Sequence, residues 1–175
     1  MSDDGFEAIV AAHHGEIYRY LRRVTAGASD ADDLSQETFL RAFRAYRSLA
    51  PDANVRAWLY TIATNLYRNH FRSAKRQRKA HSAVRAEPSG VDDEGPEAER
   101  RFHEAWTRVE TVIGDLPLKQ RLAFTLRKMH DLDYEGIGRS LGCSPESARA
   151  HVFQALRKIR QSLDRDELPH MEPGR

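Results

Sequence analysis

The chain has 175 residues and a net charge of +2, with 40% apolar and 31% charged residues, a soluble, globular balance that fits one domain or two small ones. Its single cysteine, Cys143, excludes an internal disulfide and a multi-cysteine zinc site, and no apolar run approaches the ~20 residues that a membrane-spanning helix needs. The opening MSDDGFEA is acidic where a secretory signal is basic, so a cytoplasmic protein is expected.

Between Phe6 and Val24 the residues Phe6, Ile9, Val10, Ile17, Leu21 and Val24 recur at helical spacing, which predicts one helix, or two short ones meeting near Gly15. Adjacent His13 and His14 diverge by ~100° on such a helix and no second ligand cluster follows, so no metal site is expected. Ser29 with Asp32 three residues on forms a capping-box-like start for a long helix to about Leu49. Leu34, Thr38, Ala42, Ala45 and Leu49 make one apolar stripe of it, and Phe39, Phe43 and Tyr46 a second. The remaining arc carries Asp33, Gln36, Glu37 and Leu40, an acidic and amide patch around one exposed leucine. Such an arc suits a partner surface or a merely solvated face.

Pro51 ends that helix, and another is expected from about Val55 to Arg72, with Val55, Leu59, Ile62 and Leu66 inward at i, i+4, i+7, i+11. Its far side holds Tyr60, Thr64, Tyr67 and Phe71, flanked by Arg68, Arg72, Lys75, Arg76, Arg78 and Lys79. Aromatics interleaved with cations can stack unpaired bases, at ~1–3 kcal/mol per base, and meet phosphates. Two opposed apolar stripes also fit a helix packed on both sides.

Charge is segregated around this helix. Residues 51–86 hold eight Lys/Arg against one acid, and residues 87–99 hold six acids and no Lys/Arg. The first block suits a polyanion site. The second lies in a Pro-, Gly-, Ser- and acid-rich stretch from 80 to 99 that reads as a flexible linker. Phe102, Trp106, Val109 and Ile113 then mark a helix ended by Gly114, and Leu118, Leu122, Leu126 and Met129 another opened by Pro117.

The stretch DYEGIGRSLGCSPESARAHVFQALRKI carries the sharpest start and stop signals. Asp133 is placed to cap a helix with Tyr134, Ile137 and Leu141 on one face. Gly142 sits at its left-handed end, and Ser144-Pro145 starts the next helix at once. Ala148, Val152, Ala155 and Ile159 form that helix's buried stripe. Its outer face carries Glu146, Ala150, Phe153, Gln154 and Arg157, with Arg149 on the flank, the side chains of a major-groove reader: Arg for guanine, Gln for adenine, Phe for a thymine methyl. This is a helix-turn-helix, and Cys143 in its turn reads as a small packing residue. The fold class is all-α, with two small helical domains (1–79 and 100–168) joined by an acidic linker (80–99), and a frayed tail, 169–175.

At this point the chain resembles the extracytoplasmic-function sigma factors of bacterial RNA polymerase over nearly its whole length. DADDLSQETFLRAFRAY looks like the family's core-binding helix, RAWLYTIATNLYRNHFRSAKR like its promoter-melting and minus-ten-reading helix, and the segment from Leu116 to Arg160 like its minus-thirty-five reader. The resemblance implies a transcription-initiation factor and not an enzyme, without cofactor or metal, whose partners are core polymerase, promoter DNA as duplex and as melted non-template strand, and an anti-sigma factor. It assigns Asp33, Gln36, Glu37 and Leu40 to polymerase. Asn65, Asn69, Tyr60, Tyr67, Arg68, Phe71 and Arg72 go to the minus-ten element, and Arg149, His151, Phe153, Gln154 and Arg157 to the minus-thirty-five element. The segment Leu49 to Asn54, with Asn65 and Asn69, would hold a flipped base. Gly136, Gly138, Asn69 and the opening Ser144–Ala148 depart from the usual family pattern, which bears on which promoter sequence is read. A stand-alone helix-turn-helix repressor or activator is the alternative, but it leaves the aromatic helix and acidic linker without a task.

Overall fold

The computed structural model describes residues 4–25, 27–80 and 109–167. The expected linker and the residues Phe102 and Trp106 lie outside this set, as does the tail after 167. The described residues form helices and turns without a strand.

Helix α1 runs unbroken over Asp4–Val24. Gly15 does not interrupt it. A mid-helix glycine costs only about 1 kcal/mol, and the burial of Ile17, Tyr20, Leu21 and Val24 on the following turns outweighs that. Helix α2 spans Ala28–Ala45, and its N-cap is Gly27 in extended conformation with no side-chain cap. The capping box expected at Ser29 therefore does not form, because Ser29 is already inside the helix. A 3-10 turn over Tyr46–Ser48 finishes the segment, and Leu49 is extended ahead of Pro51.

Helix α3 covers Val55–Ala80, with the Asn54 carboxamide accepting from the Ala57 N–H at 2.9 Å as its cap. It is longer than its apolar pattern predicts. The basic segment after Arg72 continues the helix, since Lys, Arg, Gln and Ala are all good helix formers.

In the C-terminal unit, helix α4 is described over 109–115, with Gly114 inside it rather than ending it. Helix α5 is Leu118–Lys128, α6 is Tyr134–Leu141 and α7 is Pro145–Glu167. The α6–α7 signals hold residue by residue. Asp133 accepts from the Gly136 N–H at 2.7 Å, Gly142 sits at φ 62° and ψ 50°, and the Cys143 N–H closes on the Gly138 carbonyl at 2.9 Å. Ser144 Oγ accepts from the Ser147 N–H at 3.2 Å. Ala148, Val152, Ala155 and Ile159 are all buried, as spaced.

The two units share a core. One apolar cluster runs from Phe6, Ile17, Leu21, Leu59 and Leu66 straight into Leu122, Leu126, Ile137, Leu141 and Val152. A smaller one under α7 joins Ile113, Leu116, Phe124, Ala155 and Ile159. The seam between the units lies along α3, where α6 packs against it.

Candidate nucleic-acid and polymerase interfaces

On α7, Arg149, Phe153, Gln154 and Arg157 all face solvent, and Phe153 is 66% exposed. A ring that leaves two-thirds of its surface in water without a packing partner is available to a ligand. The reader side chains are partly pre-positioned: the Gln120 carboxamide donates to Gln154 Oε1 at 2.7 Å, and the Arg149 guanidinium lies 5.0 Å above the Tyr134 ring. His151 differs. It is half-buried on the flank of the reading face, and burial together with nearby Lys119 holds its pKa below the ordinary histidine value. Leu156, 39% exposed, extends the apolar area beside Phe153. Sequence periodicity alone did not single it out.

On α2, Asp33, Gln36 and Leu40 are exposed, with Leu40 at 51%. Glu37 is half-buried and bonded to Arg41 Nε at 2.6 Å, so the patch is less acidic than its composition suggests. Phe43, expected inside, is 48% exposed; it packs edge-on to Phe6 at 5.2 Å and leaves its other side open, one turn from Leu40.

The aromatic stripe of α3 departs most from expectation. Tyr60 is fully buried and Tyr67 is 3% exposed. Tyr60 Oη donates to Glu16 at 3.3 Å and is hydrogen-bonded to His130 Nδ1 at 2.8 Å, while Tyr67 Oη accepts from Arg121 at 2.8 Å. Phe71 is half-covered, with the Arg121 guanidinium 5.5 Å from its ring. In this arrangement neither Tyr60 nor Tyr67 can receive a base, because Tyr20 and Glu16 of α1 and His130 cover Tyr60, and Arg121 of α5 lies on Tyr67. Arg68 is half-buried too. The open face of α3 is instead Asn65, Asn69, Arg72 and Arg76, spaced i, i+4, i+7, i+11. Two asparagines in mid-helix are poor helix formers, and their recurrence on one arc with two arginines was the usable signal.

A polar cluster lies behind the stripe. Arg56 donates through Nε to Glu16 at 2.8 Å and through Nη2 to the His130 carbonyl at 2.6 Å. Burial alone would raise the Glu16 pKa, but hydrogen bonds from His13 and Arg56 outweigh it and hold the carboxyl below its usual range. His130 is pushed down to about 4 by burial, then by the positive field of Arg23 and Arg56.

Residues 9–77 match the family described as "Sigma-70 region 2", and residues 106–159 match "Sigma-70, region 4". The RNA polymerase sigma-H factor of Pseudomonas aeruginosa is 31% identical over 166 residues, covering 90% of this chain and 86% of its own. The chain belongs to the extracytoplasmic-function sigma factors. A second relative, the ECF RNA polymerase sigma factor SigE of Mycolicibacterium smegmatis, is 29% identical over 90% of this chain, which spans 61% of that protein's length. Among solved structures, the sigma factor RpoE of Bartonella quintana, crystallised with the anti-sigma factor NepR, superposes with a TM-score of 0.74 at 19% identity, covering 93% of this chain and 99% of that one. That likeness establishes the fold.

The region 2 match takes in α1–α3 of this sigma factor, and the region 4 match takes in the described part of α4 and α5–α7 up to Ile159. Its two unusual glycines have local causes. A Cβ on Gly138 would stand 2.7 Å from the Cys143 carbonyl in the tight turn. One on Gly136 would meet Asp133 Oδ1 at 2.9 Å and Ala57 Cβ at 3.5 Å, so Gly136 serves both its own helix cap and the approach of α6 to α3.

Proposed function

We infer that this sigma factor docks on core RNA polymerase through the α2 face of Asp33, Gln36, Glu37, Leu40 and Phe43, and brings the enzyme to promoters. Helix α7 reads the upstream duplex through Arg149, Phe153, Gln154 and Arg157, with His151 beside them. Asn65, Asn69 and Arg72 on α3 engage the minus-ten element, joined by Arg68, Tyr67 and Phe71 once the C-terminal unit moves off them. Tyr60 drops out of the base-contact set and becomes a core residue. The polymerase performs the chemistry, so the chain needs no catalytic constellation or cofactor, and it works in the cytoplasm where polymerase and promoters are. Among the described residues no helix is long and apolar enough to cross a membrane.

The observation that carries this reading is the presence, on one chain with both region matches, of two separate exposed faces rich in arginine and carboxamide side chains, one on α7 and one along Asn65, Asn69, Arg72 and Arg76 of α3. An anti-sigma partner is also proposed. A 940 Å³ cleft between α1, α3 and α5 is rimmed by Arg19, Arg22, Arg23 and Lys75 over Phe71 and Ile113, which suits an acidic amphipathic segment. Run-off transcription with purified core polymerase tests the central reading. Promoter-specific transcript is expected only when this protein is added, and its absence on every cognate template tried would overturn the assignment.

A further inference from the structure

Gln120 stands in the first turn of α5 and Gln154 in the third turn of α7, and the Gln120 carboxamide donates through Nε2 to Gln154 Oε1 at 2.7 Å. One turn on from Gln120, Phe124 is buried in the cluster that joins α5 to Ala155 and Ile159 of α7, so the donor stands on a rigid support. The pair does not satisfy itself. Gln120 Oε1 is buried with no hydrogen-bond partner among the described residues, and so is His151 Nδ1, three residues before Gln154. A buried polar atom left unpaired costs stability, and an apolar side chain of the same shape avoids that cost. Local conflicts of this kind are kept mainly at functional sites.

A carboxamide oxygen has two lone pairs and its nitrogen two hydrogens. With one lone pair taken by Gln120, Gln154 keeps one acceptor site and both donors. The major-groove edge of adenine needs one of each, since its N6 amine donates and its N7 accepts. The last torsion of a free glutamine is broad and two-fold, and the bond to Gln120 fixes it. A side chain already tied to α5 also has less rotamer freedom to lose when it meets a base. Resting on the reading of α7 given above, we propose that Gln120 is a positioning residue for promoter recognition: its amide holds the Gln154 carboxamide in the orientation that meets adenine, and so sets the base preference at that position.

The test removes the tie and leaves the reader. Core polymerase carrying each variant selects from a pool of promoter duplexes randomised at the upstream element, and the retained sequences are counted. The unsubstituted protein should enrich adenine at one position, and Gln154→Ala should abolish that enrichment. Gln120→Met keeps the length of the side chain without its donor. It should reduce the enrichment at least threefold, with every other position unchanged and the melting temperature no lower than before. Gln120→Glu should also reduce it, because a carboxylate can accept from Gln154 Nε2 but cannot donate to Oε1. In a Gln154→Ala background, Gln120→Met should have no further effect on selection. Adenine enrichment that survives either Gln120 substitution overturns the proposal. A loss spread evenly over all positions, with a lower melting temperature, also overturns it and makes Gln120 a packing residue. If Gln154→Ala abolishes no preference, base reading by Gln154 itself is overturned, and the role of Gln120 with it.

Discussion

Tyr60 and His130, seventy residues apart, meet at 2.8 Å through Oη and Nδ1, with Tyr20 edge-on to both rings. The contact ties α3 to the turn after α5. His130 Nε2 is buried with no partner, so a second proton on this ring would bring a charge into the seam with nothing to accept it. Glu16, 3.3 Å from Tyr60, is already committed to Arg56 and His13.

A pH dependence follows from that site. In the folded chain His130 titrates at about 4, while in an unfolded chain it returns to its ordinary ~6.5. The unfolded chain therefore binds a proton over an interval in which the folded one does not. The contribution is complete above pH 6.5, fades as pH falls from 6.5 to 4, and has nothing further to lose below 4 from this group. Allowing for solvent screening at the seam, it amounts to about 2 kcal/mol. Denaturant melts at pH 7 and pH 5 should show the loss in the native chain and a flatter response in His130→Gln. Parallel slopes in the two proteins would remove His130 as the cause.

Replacing the stripe tyrosines should damage the fold before it damages DNA binding. Tyr60→Ala empties a fully buried site and leaves His130 Nδ1 without its partner, at a cost of about 3–5 kcal/mol. Tyr67→Ala should cost less, because its ring borders the cleft and its hydroxyl holds only Arg121. Thermal melting of both variants gives the order, and an unchanged melting temperature for Tyr60→Ala would contradict its place in the core.

These tyrosines also mark how far the sequence could be read. The helix-turn-helix was legible because its signals are local: Asp133, Gly142, Ser144 and Pro145 act within a few residues of themselves, and each does in the structure what its chemistry favours. The aromatic stripe of α3 was ambiguous because helical spacing shows that a face is apolar without showing what covers it. The cover comes from Tyr20 and Glu16 of α1, forty residues away, and from Arg121 and His130, more than fifty residues away, and these partners carry no periodic signature that points to Tyr60 and Tyr67. The α2 arc came through with Asp33, Gln36 and Leu40 exposed as spaced. Phe43 was misplaced because α1 shields only one edge of its ring.

The turn of the helix-turn-helix should be intolerant of a single methyl group. At Gly138 the added carbon would stand 2.7 Å from the Cys143 carbonyl, in a turn closed by the hydrogen bond from the Cys143 N–H to the Gly138 carbonyl, so the turn must shift. Gly138→Ala should destabilise the C-terminal unit by about 1–3 kcal/mol, despite alanine's better helix propensity. Gly142→Ala, at φ 62°, should cost about 1–2 kcal/mol through backbone strain alone. A gain in stability for Gly138→Ala would show that the turn has room.

Polymerase docking should depend on the open arc of α2. Leu40→Glu places a charge where an exposed apolar side chain stands, and Gln36→Lys inverts the local field, so each should weaken binding to purified core by tenfold or more without moving the melting temperature. Glu37→Lys is a weaker probe, since it also breaks the pair with Arg41. Undiminished core affinity in the Leu40 and Gln36 variants would take this face out of the docking surface.

The reading face of α7 makes the last prediction. Phe153 contributes almost nothing to the core, so Phe153→Ala should leave stability within about 0.5 kcal/mol, as for other surface positions. If its ring covers a thymine methyl, the variant should lose binding to the upstream duplex and discriminate less at one T·A pair. Gln154 is held by Gln120, and Gln154→Ala frees that partner; a good bidentate contact to adenine would be worth about 1–3 kcal/mol of discrimination. Arg157, exposed and without such a support, should act on phosphate, so Arg157→Ala should weaken specific and scrambled duplex alike and reduce the salt dependence by about one phosphate contact. Fluorescence-anisotropy titrations of the three variants on matched and scrambled duplexes separate these outcomes. Equal losses on both duplexes for Phe153→Ala and Gln154→Ala would mean that α7 grips the backbone and reads no base.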